Sequence, residues 1–262
     1  LKKLMEGKKG LIVGVANEKS LCWGIAQVLA EHGAQIAFTY AGEILEKRVK
    51  PLAASIGSDF VLEMDVTDDD GIDKAFEEYK ARFGQMDFLV HGVAFSDKTE
   101  LKGNYYDTTR ANFSMTMDIS AYSLAALSRR AQAIMPSGGS ILTLSFYGAQ
   151  RAVPNYNVMG VAKAALEASV RYLAADFGPR NIRVNAISAG PIKTLASSGI
   201  ANFKELYKMG ASGAPMNRNV TQEEVGGAAL FLLSDLSSAV TGEVLFVDGG
   251  YHAAIRKPDI QA

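Results

Sequence analysis

Seven apolar runs of strand length, separated by stretches of helical periodicity, limit what this chain can fold into more than any other feature. They read GLIVGV at 10–15, QIAFTY at 35–40, FVLEMDV at 60–66, DFLVHGV at 87–93, SILTLSF at 140–146, IRVNAIS at 182–188 and EVLFVDG at 243–249. A strand with one wet face alternates apolar and polar residues. These runs are nearly continuous in hydrophobicity, as strands covered on both faces must be. Between them lie segments such as LCWGIAQVLAEHG at 21–33, where Gly33 supplies a stop. Strand and helix in alternation predict an α/β chain, a single doubly wound (Rossmann) domain of about seven parallel strands with helices on both faces. Ligands of such sheets bind beyond the carboxyl ends of the strands.

A chain of 262 residues, 48% hydrophobic and 21% charged, is long enough for one substantial core, and a single domain over 1–262 is expected. No repeat, low-complexity tract or Pro/Gly-rich linker marks a second unit. The segment LASSGIANFKELYKMGASGAP at 195–215 departs from the alternation and reads as a substrate-covering lid. A formal net charge of −1 with no basic block argues against nucleic acid and against a polybasic membrane patch. No apolar run approaches the ~20 residues that span a bilayer, and LKKLMEGKKG lacks the apolar core of a secretory signal, so a cytoplasmic protein is expected. Cys22 is the only cysteine, and His32, His91 and His252 are too scattered for metal-ligand spacing. No metal is expected.

The first run leads into GVANEKSLCWGIA, which is neither G-x-G-x-x-G nor G-x-x-x-G-x-G. Gly14 allows a tight turn, Ser20 is placed to cap a helix beginning near Leu21, and free amides there suit a pyrophosphate. The same residues would equally serve a turn and a cap with no ligand. At the end of the second run, TYAGE puts Tyr40 and Ala41 where an acidic residue would bind the adenosine ribose or an arginine a 2′-phosphate. With no basic residue at that strand end, NADH is expected in preference to NADPH. Asp65 and Val66 end the third run, where a carboxylate and an amide can read an adenine edge or simply make a turn. The fourth run ends in the small residues of HGVAFS, leaving room for a flat ring.

Pro154 and Asn155 read as the start of a helix that runs to Gly178. On it Tyr156 and Lys163 lie seven residues apart, about 20° short of two full turns, and so share a face. If Lys163 binds the nicotinamide ribose, Tyr156 stands one turn further away than the tyrosine of a Y-x-x-x-K pair, whose place is taken by Met159. A carbonyl reductase protonates the oxygen on the carbon that receives hydride. An enoyl thioester takes hydride at C3 while charge develops on a carbonyl oxygen two carbons away, so its donor must be displaced. Tyr156 would stabilise that enolate. Taken alone, the pair also fits a surface tyrosine and a solvated lysine.

Taken together, GVANEKSLCWGIA, AFTY, MDV, VPNYNVMGVAKAALEASVRYLA, IRVNAISAGPIKTLASSG and TGEVLFVDGG carry a resemblance over essentially the whole chain. The chain resembles the NADH-dependent enoyl-acyl-carrier-protein reductases of type II fatty-acid synthesis, a divergent branch of the short-chain dehydrogenase/reductases. The resemblance implies reduction of trans-2-enoyl-acyl-carrier-protein to the saturated acyl chain. It implies Tyr156 and Lys163 as the catalytic pair. Gly14, Ser20, Leu21, Ala41, Asp65, Val66, Val93, Lys163, Ile192, Lys193, Thr194, Leu195 and Ala196 would line NADH, with Ser96 at the substrate. A homotetramer fed by acyl carrier protein is implied as well. Phe146 departs from the many members with a second tyrosine ten residues before the first. It reads as a wall beside nicotinamide and substrate, with Tyr147 facing the other way. A ketone or 3-oxoacyl reductase, or a non-catalytic dinucleotide sensor, are the competing readings.

Overall fold

Each of the seven runs becomes a strand. A computed structural model of the chain describes residues 3–195, 197 and 202–253. The strands are β1 (Lys9–Val13), β2 (Gln35–Tyr40), β3 (Val61–Glu63), β4 (Phe88–His91), β5 (Gly139–Ser145), β6 (Ile182–Ala189) and β7 (Val244–Val247). They form one seven-stranded parallel sheet in the order β3-β2-β1-β4-β5-β6-β7. The direction of winding reverses between β1 and β4, which opens a crevice at their carboxyl ends.

Helices cover both faces: α1 (Leu21–Glu31), α2 (Glu43–Ser55), α3 (Asp69–Phe83), α4 (Arg110–Met117), α5 (Ser123–Ala133), α6 (Asn157–Phe177), α7 (Phe203–Gly213) and α8 (Gln222–Leu233). Successive strand residues enter opposite cores. Leu11 and Val13 pack with Ile72, Leu124, Leu166 and Val170 from α3, α5 and α6. Ile12, between them, packs with Ile25, Leu29, Val49 and Val225 from α1, α2 and α8. The central strands are therefore buried on both faces, β4 along its whole length, which is why the runs show so little alternation. Each such large apolar side chain contributes roughly 1.5–3 kcal/mol by leaving water.

Gly24, inside α1, has a packing reason. A Cβ there would stand 2.7 Å from Gln222 Cβ, at the start of α8. Gln222 Nε2 donates to Ser20 O at 2.7 Å and to Glu18 O at 3.2 Å. The beginning of α8 thus ties down the loop that precedes α1.

Several boundaries differ from the sequence reading. β3 stops at Glu63, so Asp65 and Val66 lie beyond the strand, and Phe146 likewise follows the end of β5. The helix after Pro154 begins at Asn157, with Tyr156 as its N-cap residue. Asn155 and Asn157 take φ of +61° and +38°, and asparagine tolerates that left-handed region better than most residues. Asn157 Nδ2 also donates to Leu101 O at 3.2 Å and Gly103 O at 3.1 Å. The turn carrying Tyr156 is therefore anchored to the chain that follows β4. Among the described residues, no helix is long and apolar enough to cross a membrane.

Candidate active site

Because all strands point the same way, one edge of the sheet collects their carboxyl ends. Along that edge, in sheet order, come Asp65 and Val66 after β3, Ala41 after β2, Gly14 after β1, Val93 after β4, Phe146 after β5 and Ile192 after β6. With neighbouring strands about 4.8 Å apart, six strands give a strip about 24 Å long, suited to an extended dinucleotide.

The middle of the strip is the crevice. Gly14 has φ +112°, and a Cβ there would sit 2.4 Å from Gly92 O. A Cβ on Gly92 would in turn meet Cys22 Sγ at 2.0 Å. Backbone meets backbone here, and only glycine fits. Ser20 does not cap α1 as expected. Its Oγ instead accepts from Ala16 N at 2.9 Å and Asn17 N at 3.1 Å, fixing the loop behind it. No side chain caps α1, so first-turn amides at Leu21 stay open to an anion.

Toward β2 and β3 the strip is open. Ala41 is exposed, and Gly42, with φ +77°, turns the chain into α2. Lys50 of α2 returns to lie 5.8 Å from the centre of the Tyr40 ring and pairs with Glu46. A cation does therefore reach the β2 end, contrary to the sequence reading, but with its charge matched. Asp65 is also exposed; its Oδ1 accepts from Thr67 N at 2.9 Å and Thr67 Oγ1 at 2.8 Å in a tight turn. Val66 is half-buried and packs on the core.

At the β5 end the side chains are buried. Lys163 is 7% exposed and its Nζ donates to Leu144 O at 2.8 Å. An ammonium has three N–H donors, so this bond fixes the group and leaves capacity for a ligand. Burial drives its pKa down to about 8, opposed by the nearby Cys22 and Glu167. Tyr156 is buried too, and burial raises its phenol pKa. The phenol is therefore neutral at physiological pH and able to donate. Its ring stands edge-on to Phe146, centroids 4.9 Å apart, and packs with Leu101, Val158 and Met159. A Cβ on Gly148 would come within 2.4 Å of Tyr156 Cδ1, so Gly148 makes the seat for that ring. Lys163 and Tyr156 thus meet one stretch of chain, the run-out of β5. Tyr147 turns away to stack edge-on with Tyr251 at 5.6 Å.

Ser96 lies in the chain that follows β4, and its hydroxyl is engaged, receiving a bond from Thr116 Oγ1 at 2.9 Å and donating to Asn112 Oδ1 at 3.3 Å. Asn112 Oδ1 also accepts from Asp97 N at 3.0 Å. Ser120 Oγ accepts from Phe95 N at 3.0 Å and donates to Phe95 O at 3.1 Å. Asn112, Thr116 and Ser120, all buried, form a stripe that clamps the chain after β4. A π-helical turn, Asp118–Tyr122, follows within that stripe and brings Ser123 to His91 Nε2 at 2.8 Å. The sequence reading missed these residues and the buried Glu167; the spacing of four was their only signal. Val93 packs against the core. Beyond β6, Thr194 N donates to Ser197 Oγ at 2.8 Å, Lys193 Nζ lies 4.6 Å from the Tyr207 ring centre, and Leu195 is exposed. Ala196 lies outside the described residues. A cavity of about 270 Å³ adjoins this end, lined in part by Phe146, Pro191, Leu206, Met209 and Tyr251.

A family model described as enoyl-(acyl carrier protein) reductase matches residues 14–252. The enoyl-[acyl-carrier-protein] reductase [NADH] FabI of Rickettsia felis is 59% identical over 249 residues, covering 95% of this chain and 96% of that protein. The enoyl-[acyl-carrier-protein] reductase [NADH] 1 of Rhizobium meliloti is 59% identical over 261 residues, 98% and 96% of the two chains. The solved enoyl-(acyl-carrier-protein) reductase of Anaplasma phagocytophilum, in complex with NAD, superposes with a TM-score of 0.94 at 55% identity over 97% of each chain. FabI from Candidatus Liberibacter asiaticus superposes with a TM-score of 0.95 at 49% identity, covering 98% of this chain and all of that one. Family model, relatives and superposed structures each cover nearly the whole chain, and the chain belongs to the enoyl-acyl-carrier-protein reductase family.

Proposed function

We propose that the protein reduces trans-2-enoyl-acyl-carrier-protein to the saturated acyl-acyl-carrier-protein with NADH, in fatty-acid elongation. The observation that carries this reading is the pair Tyr156 and Lys163, seven residues apart across the start of α6 and both buried against the stretch 144–148 at the end of β5, with apolar Met159 four residues before Lys163. The Gly14/Gly92 crevice and the uncapped start of α1 fit a dinucleotide, and relatives named for NADH support its identity. NADH, when bound, supplies the hydride that reaches C3 of the enoyl chain.

Solvent supplies the proton that C2 gains to complete the saturated chain, and the binding and orienting fall to the chain's own residues. Lys163, fixed on Leu144 O, hydrogen-bonds the nicotinamide ribose hydroxyls. Ser20, Leu21 and Gly14 take the pyrophosphate, Ala41, Asp65 and Val66 the adenosine, and Val93 with Ile192 to Leu195 the nicotinamide half. Tyr156 donates a hydrogen bond to the thioester carbonyl oxygen, where negative charge grows as C3 is reduced. Its raised pKa suits it to stabilise the enolate without first losing its proton. Phe146 and Ser96 wall the reacting carbons, and the apolar ring of Phe146 keeps water from them.

The protein works as a single domain, with α7 as the described part of a segment that covers the substrate. It takes its substrate from acyl carrier protein in the cytoplasm and assembles as a homotetramer, a reading supported by exposed Phe113, Tyr122 and Tyr172 along α4 to α6. The test is a steady-state assay following nucleotide absorbance, with crotonyl and acetoacetyl thioesters each offered with NADH and with NADPH. The reading requires oxidation of NADH with the crotonyl ester. Turnover confined to the acetoacetyl ester would make the protein a 3-oxoacyl reductase instead.

A further inference from the structure

We infer that Glu167 is a positioning residue that keeps Lys163 cationic for the nicotinamide ribose; this rests on the reading that NADH binds through Lys163. Glu167 is 5% exposed and stands one helical turn beyond Lys163 on α6. Residues so spaced lie about 5–6 Å apart at Cβ. The two side chains end on consecutive residues of β5. Lys163 Nζ donates to Leu144 O at 2.8 Å, and Glu167 Oε1 accepts from Ser145 Oγ at 2.6 Å. The two head groups are thus buried on neighbouring residues of one strand, each held by the strand rather than by the other. A buried charge without a counter-charge is strongly disfavoured, and here each supplies the other's.

The titratable groups facing Lys163 come from three elements: Cys22 from α1, His91 from β4 and Glu167 from α6. Burial pushes the Cys22 thiol up to about 12. Burial, and then the charge of Lys163, holds His91 down at about 3. Both are neutral near pH 7, which leaves Glu167 as the one carboxyl group among those that face Lys163. His91 is also locked between Thr143 Oγ1 and Ser123 Oγ, each at 2.8 Å. Lys163 sits at about 8, close to working pH, and its charge state there depends on what opposes its desolvation.

Glu167→Gln separates charge from packing, because the amide oxygen can still accept from Ser145 while the negative charge is gone. The measurement is the NADH dissociation constant between pH 6 and pH 10, read by fluorescence titration, with crotonyl-thioester turnover alongside. In the wild-type protein affinity falls above about pH 8. Loss of the Glu167 charge lowers the pKa of Lys163, so the alkaline limb moves to lower pH. For a one-unit move, affinity at pH 8 drops roughly fivefold and the two proteins converge toward pH 6.

Glu167→Asp keeps the charge, and its limb must stay within about half a unit of wild type. Should the glutamine variant fail to fold, a limb displaced in the aspartate variant overturns the inference by itself. An unmoved limb in Glu167→Gln, whatever the loss of overall activity, assigns the residue to packing alone. A wild-type protein that binds no NADH at any pH overturns the cofactor reading and this inference with it, whereas an unmoved limb in a protein that binds NADH overturns only the role of Glu167.

Discussion

The two ends of the strip along the carboxyl edge of the sheet are built in opposite ways. Around β4 and β5, polar side chains are buried and held by the fold: Lys163 on Leu144, Glu167 on Ser145, His91 between Thr143 and Ser123, and Ser120 on the backbone of Phe95. Around β2 and β3, Ala41 and Asp65 are exposed, and the polar groups satisfy one another in contact with water. Low dielectric strengthens a fixed donor where charge develops, and fixed donors need no reorganisation during reaction. In the proposed reaction the β4–β5 end needs that rigidity, while the β2–β3 end, assigned to adenosine, does not.

That contrast ranks the consequences of substitution. The largest belongs to Tyr156→Phe, expected to lower kcat roughly 10²–10³-fold while leaving the NADH dissociation constant near wild type. Lys163→Ala comes next, weakening NADH binding by roughly 10–100-fold in a fluorescence titration, as expected for loss of a charged hydrogen-bond donor. Negligible effects of both would remove the distinction between the two ends. Gly148→Ala probes the seat of the phenol. The added Cβ must displace the Tyr156 ring, and turnover should fall roughly tenfold with the nucleotide affinity retained.

Acid stability sharpens the comparison from another side. His91 is held neutral at a pKa of about 3, against 6.5 in its ordinary state. Between those values the unfolded chain binds a proton that the folded chain does not, so folding stability falls as pH drops. The slope is about 1.4 kcal/mol per pH unit from this group, and it should flatten in His91→Gln when urea denaturation at pH 6.5 is compared with pH 5. The smallest effect is expected at the open end. Asp65→Asn should change the NADH dissociation constant less than about fivefold, because a solvated carboxylate in a surface turn is weakly coupled to its surroundings.

The strands were legible because burial on both faces leaves a nearly unbroken apolar record, whereas the seven-residue spacing of Tyr156 and Lys163 spans the start of α6 rather than lying within one helix. The start of that helix was misplaced. Pro154 and Asn155 carry the composition of a helix start, but the left-handed asparagines on either side of Tyr156 delay it to Asn157. Ser20 was assigned to the helix ahead of it, yet its oxygen serves the loop behind, and composition cannot distinguish those directions. Glu167 reads as an ordinary exposed helix residue. Only the run-out of β5 beneath it makes it buried. Asn112, Thr116 and Ser120 look like a polar face for the same reason, since what they touch is a chain segment brought over from the end of β4.

The contact between Gly14 and Gly92 has a consequence for how the molecule comes into being. One wall of the crevice is made early in the chain, and its companion only after two further strand-and-helix units have been synthesised. A nascent polypeptide with its first strand and helix in place therefore offers a dinucleotide half a binding site. The grip appears when the fourth strand docks beside the first, the kind of long-range pairing that slows folding. NADH can stabilise only chains that have already completed that step, so it rewards finished molecules and gives no help to those still assembling.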